Sequence, residues 1–157
     1  MESTSVDSKL CAPQDLIHGS CVAISGKGVV LRGPSGSGKS DLALRLIDDG
    51  ASLISDDQIT ISVRDKRVFA SAPPAIAGML EARGIGIVQL EYLDETQVHL
   101  IIDLVPTESV ERMPVESSTT LEGISLPLTH LASFESSNPA KVRLALHAAT
   151  GELNIQR

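Results

Sequence analysis

Three glycines at 33, 36 and 38, a lysine and a serine at 39 and 40, and two adjacent carboxylates at 56 and 57 are residues whose types and spacing could do chemistry. The stretch Gly33-Pro34-Ser35-Gly36-Ser37-Gly38-Lys39-Ser40 fits the phosphate-loop pattern G-x-x-x-x-G-K-[ST] at every fixed position. Its glycines let the backbone turn tightly with N–H groups aimed into a concavity, where the positive end of a following helix adds to the field an anion feels. Lys39 can reach the outer phosphates, and the Ser40 hydroxyl can ligate Mg²⁺, a hard ion that prefers oxygen. The pattern predicts a bound nucleotide; it does not say what becomes of the terminal phosphoryl group.

For that, a second acid must hold or orient the metal, and a transferase needs a group that accepts the proton of the attacking hydroxyl. Asp56-Asp57 follows the apolar Leu53-Ile54, and Asp103 follows Leu100-Ile101-Ile102, so both sites have the outline of a strand ending in a carboxylate. The adjacent pair offers a division of labour, one acid toward the metal and one toward the hydroxyl. No Asn-Lys-x-Asp stretch is present to read guanine, which argues against a GTPase, and no Leu-Ser-Gly-Gly-Gln signature is present, which argues against a transporter ATPase.

The elements that must position these residues follow from periodicity and turn chemistry. Ser20 to Ile24 and Val29 to Leu31 read as a hairpin turning at Ser25-Gly26-Lys27-Gly28, whose second strand delivers the chain into the loop. The helix after Lys39 carries Leu42, Leu44, Leu46 and Ile47 and stops at Gly50; the strand 51–55 then ends in the acidic pair. Gln58 to Val63 and Arg67 to Ala70 form a second expected hairpin, turning at Asp65-Lys66 and ended by Pro73-Pro74. In the segment 78–88 one acid, Glu81, and one base, Arg83, stand between glycines in an apolar run, which suits a tight loop beside a ligand. Val98 to Leu104 is a buried-type strand, and residues 106–118 are loop with a helical turn around Glu111-Arg112-Met113. Ile124 to Leu126 makes a last strand, and a C-terminal helix runs from Asn138 as cap and Pro139 at its first position to Gly151.

The chain has 157 residues, 42% of them hydrophobic, which suits a single domain with a sizeable core. One Tyr, two Phe and no Trp make that core aliphatic and leave almost no stacking platforms for single-stranded nucleic acid. A net charge of −7 opposes binding to nucleic acid over the whole surface. Cys11 and Cys21 have no metal-type spacing and follow no signal peptide, so they read as reduced thiols, and no apolar run is long enough to span a membrane. The expected location is the cytoplasm.

Four pieces, in this order, resemble one family, the bacterial HPr kinase/phosphorylases: Ile17-His18-Gly19, the loop Gly33 to Ser40, the pair Asp56-Asp57, and Leu80-Glu81-Ala82-Arg83-Gly84-Ile85-Gly86-Ile87, which is similar to the family's LE-x-RG-x-GI signature. The resemblance covers residues 16–105 well and the remainder poorly. It implies ATP and Mg²⁺ as cofactors, a serine of an HPr-type phosphocarrier protein as acceptor, and a homo-oligomer, hexameric in the family. Carried over, it implies Asp57 as general base, Lys39 at the transferring phosphoryl group, Ser40 and Glu81 at Mg²⁺ with Asp56 beside them, and His18 next to the catalytic carboxylate. The catalytic arginine of the family corresponds to Arg112, with Arg83 as a second candidate.

The chain departs from the family in having no room for an additional N-terminal domain. Near its end Ser133-Phe134-Glu135-Ser136-Ser137 stands where a Pro- and Arg-rich loop serves the phosphorylase reaction. The expectation is therefore an α/β fold, a P-loop-containing kinase domain with a central mixed β-sheet and flanking helices. Residues 16–157 form that single domain, behind a disordered segment over residues 1–15. Its expected activity is that of a serine kinase acting on an HPr-type carrier. A small-metabolite kinase and a nucleotide sensor that does little chemistry stand as alternatives on the residues alone.

Overall fold

The computed structural model describes residues 14–156, so most of the segment 1–15, and Cys11 within it, lies outside the described residues. The chain forms strands β1 (Gln14–His18), β2 (Ser20–Ile24) and β3 (Lys27–Arg32), helix α1 (Lys39–Asp48), and strands β4 (Ser52–Ser55), β5 (Gln58–Arg64) and β6 (Arg67–Ser71). There follow β7 (Met79–Ala82), β8 (Gly86–Gln89), β9 (Thr96–Val105), β10 (Ser117–Leu121), β11 (Ile124–Ala132) and helix α2 (Asn138–Ala149). Nine strands make one mixed sheet in the order β1-β5-β6-β9-β3-β2-β4, with β11 also on β9 and β10 on β11; β7 and β8 stand apart as a hairpin.

β9 is the spine. One of its edges pairs with β3 in parallel; the other pairs first with β6, antiparallel, and then with β11, in parallel. The strand alternates between two apolar layers. Leu100, Ile102 and Leu104 join Val29 and Leu31 of β3 under Leu42, Ala43 and Leu46 of α1 and Val142 and Leu146 of α2, whereas Ile101 joins Val30 in a second layer with Ile59, Ile61 and Val68. A register shift at Gly28/Val29 moves Val98 into the second layer despite its even spacing from Leu100. Both helices thus cover one layer, and the other is closed by the curl of the sheet itself.

The hairpin expectations hold, the second at its expected turn and the first with a tighter one. Ser25 and Gly26, and likewise Asp65 and Lys66, have positive φ at both positions, the two-residue turn whose twist matches the flanking strands. β10, whose residues carry no strand pattern, pairs with β11 through a third such turn at Glu122 and Gly123. In residues 106–116 the single helical turn is Thr107–Ser109 rather than one around Arg112, because Pro106 starts it and Pro114 follows too soon for another. Nor does Asn138 cap α2: its amide donates to the Ala132 carbonyl at 2.7 Å and ties the helix start to the end of β11. Cys21 is a fully buried free thiol, and burial pushes its pKa well up, so it is neither nucleophile nor metal ligand.

Gly28 lies where β3 comes close against β9. A methyl group there would come within 2.6 Å of Thr96 Cγ2 and 2.7 Å of the Gln97 carbonyl oxygen, and the latter is backbone that cannot swing aside. Gly28→Ala is expected to destabilise the fold by about 1–3 kcal/mol, lowering Tm by roughly 2–12 °C. Thermal unfolding checks this; an unchanged Tm would mean that β3 and β9 are not registered as described.

Candidate active site

The parallel strands β3, β9 and β11 end on one edge, and the phosphate loop leaves β3 there. Gly38 has φ 95°, and Leu42 N–H donates to its carbonyl at 2.9 Å, so the first turn of α1 opens out of the loop with its free N–H groups facing the concavity. Lys39 Nζ donates to the carbonyls of Gly33 (2.8 Å) and Pro34 (3.1 Å), which holds the ammonium across the loop. Ser37 Oγ is buried without a hydrogen-bond partner among the described residues. A loop of free N–H groups with a poised ammonium and a spare hydroxyl fits a polyphosphate chain.

At the end of β4 the two acids part. Asp56 is 5% exposed, and its Oδ1 accepts the hydroxyls of Ser40 and Ser20, each at 2.7 Å, while Oδ2 accepts the backbone N–H of Glu81 at 3.3 Å. One carboxylate thereby fastens the first turn of α1, the start of β2 and the β7–β8 hairpin. Among the described residues no three His, Cys, Asp or Glu side chains converge as a closed metal cage. A hydroxyl and a carboxylate in contact beside a phosphate loop suit Mg²⁺, which keeps waters and takes few protein ligands.

Asp57 is exposed, with φ 73°, and the Gln58 N–H donates back to the Asp56 carbonyl at 2.9 Å. That pairing across a positive-φ residue marks the rarer, strained kind of γ-turn, a conformation Asp tolerates better than bulky side chains. The Asp57 carbonyl accepts the Gly19 N–H at 3.0 Å, so the turn is locked to the end of β1, where His18 pairs with Gln58. Gly19 has to be glycine: a side chain there would meet the Leu31 carbonyl at 2.7 Å.

The segment 78–88 is a hairpin rather than a loop. Leu80 and Ala82 are buried in the helix-covered layer, which leaves Glu81 and Arg83 on the outer face. His18, the loop residues Gly33 to Gly36, Gly38, Lys39 and Ser40, with Asp57, Glu81 and Arg83, all line one cavity of about 690 Å³. Arg112 is not brought there; it is exposed in the stretch after β9. Asp103 is not there either: opposite Arg32 in the β3–β9 register, it takes that guanidinium at 2.7 and 3.0 Å, a structural pair. Two neighbours escaped the sequence reading. Ser20 gave no signal beyond being a serine in an apolar run, and Phe134, an exposed aromatic in a chain with few, was noticed only for the arginines it displaces.

Replacing Asp56 by Ala would strand two hydroxyls and an N–H in a buried setting. The expected loss is about 2–4 kcal/mol by urea unfolding, against about 1 kcal/mol for Ser40→Ala. A difference between Asp56→Ala and the unaltered chain below about 0.5 kcal/mol would show that the carboxylate does not hold these elements together.

Comparison with known proteins agrees with this geometry. The family model for the HPr serine kinase C-terminal domain matches residues 9–144. An HPr kinase/phosphorylase of Clostridium botulinum is 41% identical over 98 residues, covering 58% of this chain and 32% of that protein. One of Burkholderia lata is 36% identical over 132 residues, covering 78% of this chain and 41% of the relative. The chain thus spans well under half the length of these two relatives. The solved structure of the Hpr(Ser) kinase/phosphatase from Coxiella burnetii superposes with a TM-score of 0.78 at 25% identity, covering 88% of this chain and 97% of that one. The mixed α/β sheet with its phosphate loop is the fold of that kinase, and the chain belongs to the HPr serine kinase C-terminal domain family.

Proposed function

We propose that residues 16–157 act as one kinase domain that transfers the terminal phosphoryl group of ATP, with Mg²⁺, to a serine of an HPr-type phosphocarrier protein in the cytoplasm. The observation that supports this most is the strained turn that sets the exposed Asp57 in the same cavity as the phosphate loop. Bound ATP would supply the phosphoryl group, and Mg²⁺ the charge that offsets its oxygens. Lys39 exchanges its two loop carbonyls for phosphate oxygens, keeping its charge on the transferring group. Ser40 and Asp56, in contact with each other, would hold the metal, and Glu81, which lines the same cavity, would add a third oxygen donor.

Asp57 takes the proton of the serine hydroxyl while the serine oxygen bonds to phosphorus and the bond to the leaving diphosphate oxygen breaks. His18, at the end of β1, flanks this carboxylate. The guanidinium that steadies the equatorial oxygens is Arg83, which lines the cavity, rather than Arg112, which does not. The homo-oligomer, hexameric in the family, is part of the same reading.

Among the described residues no helix is long and apolar enough to cross a membrane. Names of the relatives pair the kinase with a phosphorylase or phosphatase reaction. In this chain the segment 133–137 offers no cation for a second anion. Transfer to the carrier is therefore expected to dominate over its reversal.

Incubation with ATP, Mg²⁺ and HPr-type carriers should give phosphoserine on the carrier by mass spectrometry. Label on a small molecule with all carriers unmodified would point to a metabolite kinase instead. Asp57→Asn should cut transfer by at least about 10²-fold and leave ATP affinity within about twofold, because the amide cannot take the proton but preserves shape. Transfer at the unaltered rate in that variant would remove Asp57 as the base.

A further inference from the structure

Phe134 sits in the connection from β11 to α2, which leaves the same sheet edge as the phosphate loop. It is 59% exposed, the most exposed of the chain's three aromatic residues, and its φ of 64° is in the left-handed region that a bulky side chain rarely adopts. Its ring lies against the loop: a methyl group at Gly38 would come within 2.9 Å of its Cε1 and 3.1 Å of its Cζ. The ring also borders the cavity that holds Lys39 and Asp57.

An exposed aromatic ring held in a costly backbone conformation beside a phosphate site lacks the burial that would explain it as core. Ligands of open α/β sheets lie in the crevice beyond the ends of the strands, and the connection after β11 brings an aromatic face to that crevice beside the phosphate loop. We infer that Phe134 is the platform on which the nucleobase stacks, so that this residue, and not the phosphate loop alone, sets the affinity for a nucleoside triphosphate. This rests on the reading that the cavity takes ATP. Stacking is tolerant of base identity, since every base has a π-face, so Phe134 separates nucleotides from bare polyphosphates rather than adenine from guanine.

The test compares a non-hydrolysable ATP analogue with inorganic tripolyphosphate, each with Mg²⁺, by calorimetry on the full chain. Phe134→Ala should weaken the nucleotide analogue on the order of tenfold and leave tripolyphosphate unchanged. Phe134→Trp places the only tryptophan in the chain at this point; it should retain nucleotide affinity, and its fluorescence should be quenched by the nucleotide and not by tripolyphosphate. Equal weakening of both ligands by Phe134→Ala would show that the ring only shapes the loop and would overturn the inference, as would no weakening of either or a tryptophan signal that is the same for both. These readouts are separate from transfer. A two-ligand difference without phosphoserine on any carrier removes the kinase reading and keeps the platform; phosphoserine with unaltered affinities in Phe134→Ala does the reverse.

Discussion

The buried carboxylate of Asp56 is the constraint from which the site follows. A carboxyl group that is 5% exposed is tolerable only where donors replace water, and here two serine hydroxyls and a backbone N–H do so. Those donors come from three separate places in the chain: β2, the first turn of α1 and the β7–β8 hairpin. Satisfying one carboxyl group therefore fixes the angle at which the phosphate loop meets the sheet and the height at which Glu81 and Arg83 stand over it. Asp57 inherits its position as the next residue in a chain that must reverse at once into β5, and the reversal is possible because Gly19 lets β1 close against the turn.

Local strain is concentrated where the chain meets the cavity. Asp57 and Phe134 both hold positive φ without being glycine, and both line the cavity of the phosphate loop. The remaining positive-φ residues other than glycine lie in two-residue hairpin turns, where that conformation is what the strand twist requires. Such strain persists only where surrounding structure overrides it. Here the override comes from the aliphatic layers on both faces of β9, built without help from aromatic packing. The Arg32–Asp103 pair adds a lock between β3 and β9 at the point where the loop begins.

The phosphate loop, its flanking strand and helix, and both early hairpins were legible because each is specified by residues adjacent in sequence. Glycines with Lys-Ser, alternating apolar residues and short polar turns act locally. The division between Asp56 and Asp57 was legible only as a pair, since which acid turns inward depends on Ser20, thirty-six residues away. Asp103 shares the outline of a strand ending in a carboxylate, and only the register of β3 against β9, a long-range fact, gives it to Arg32. Arg112 was placed by resemblance in a region where the resemblance is weakest. The hairpin at 79–89 was hidden because its alternation is interrupted by glycine at 84 and 86 and its outer face carries Ile85 and Ile87, which are exposed rather than buried. β10 is four polar residues and a leucine, strand by pairing rather than by pattern.

Charge around the cavity links these features to the proposed chemistry. The side chains that line it include three carboxylates, Asp41, Asp57 and Glu81, against two fixed cations, Lys39 and Arg83. Side chains alone would therefore repel the triphosphate of the proposed function, and the attraction would have to come from the loop's N–H groups, the start of α1 and the divalent cation proposed at Ser40 and Asp56. Asp57 stands exposed in this same cavity, where the proposed transfer would have it take a proton from a hydroxyl.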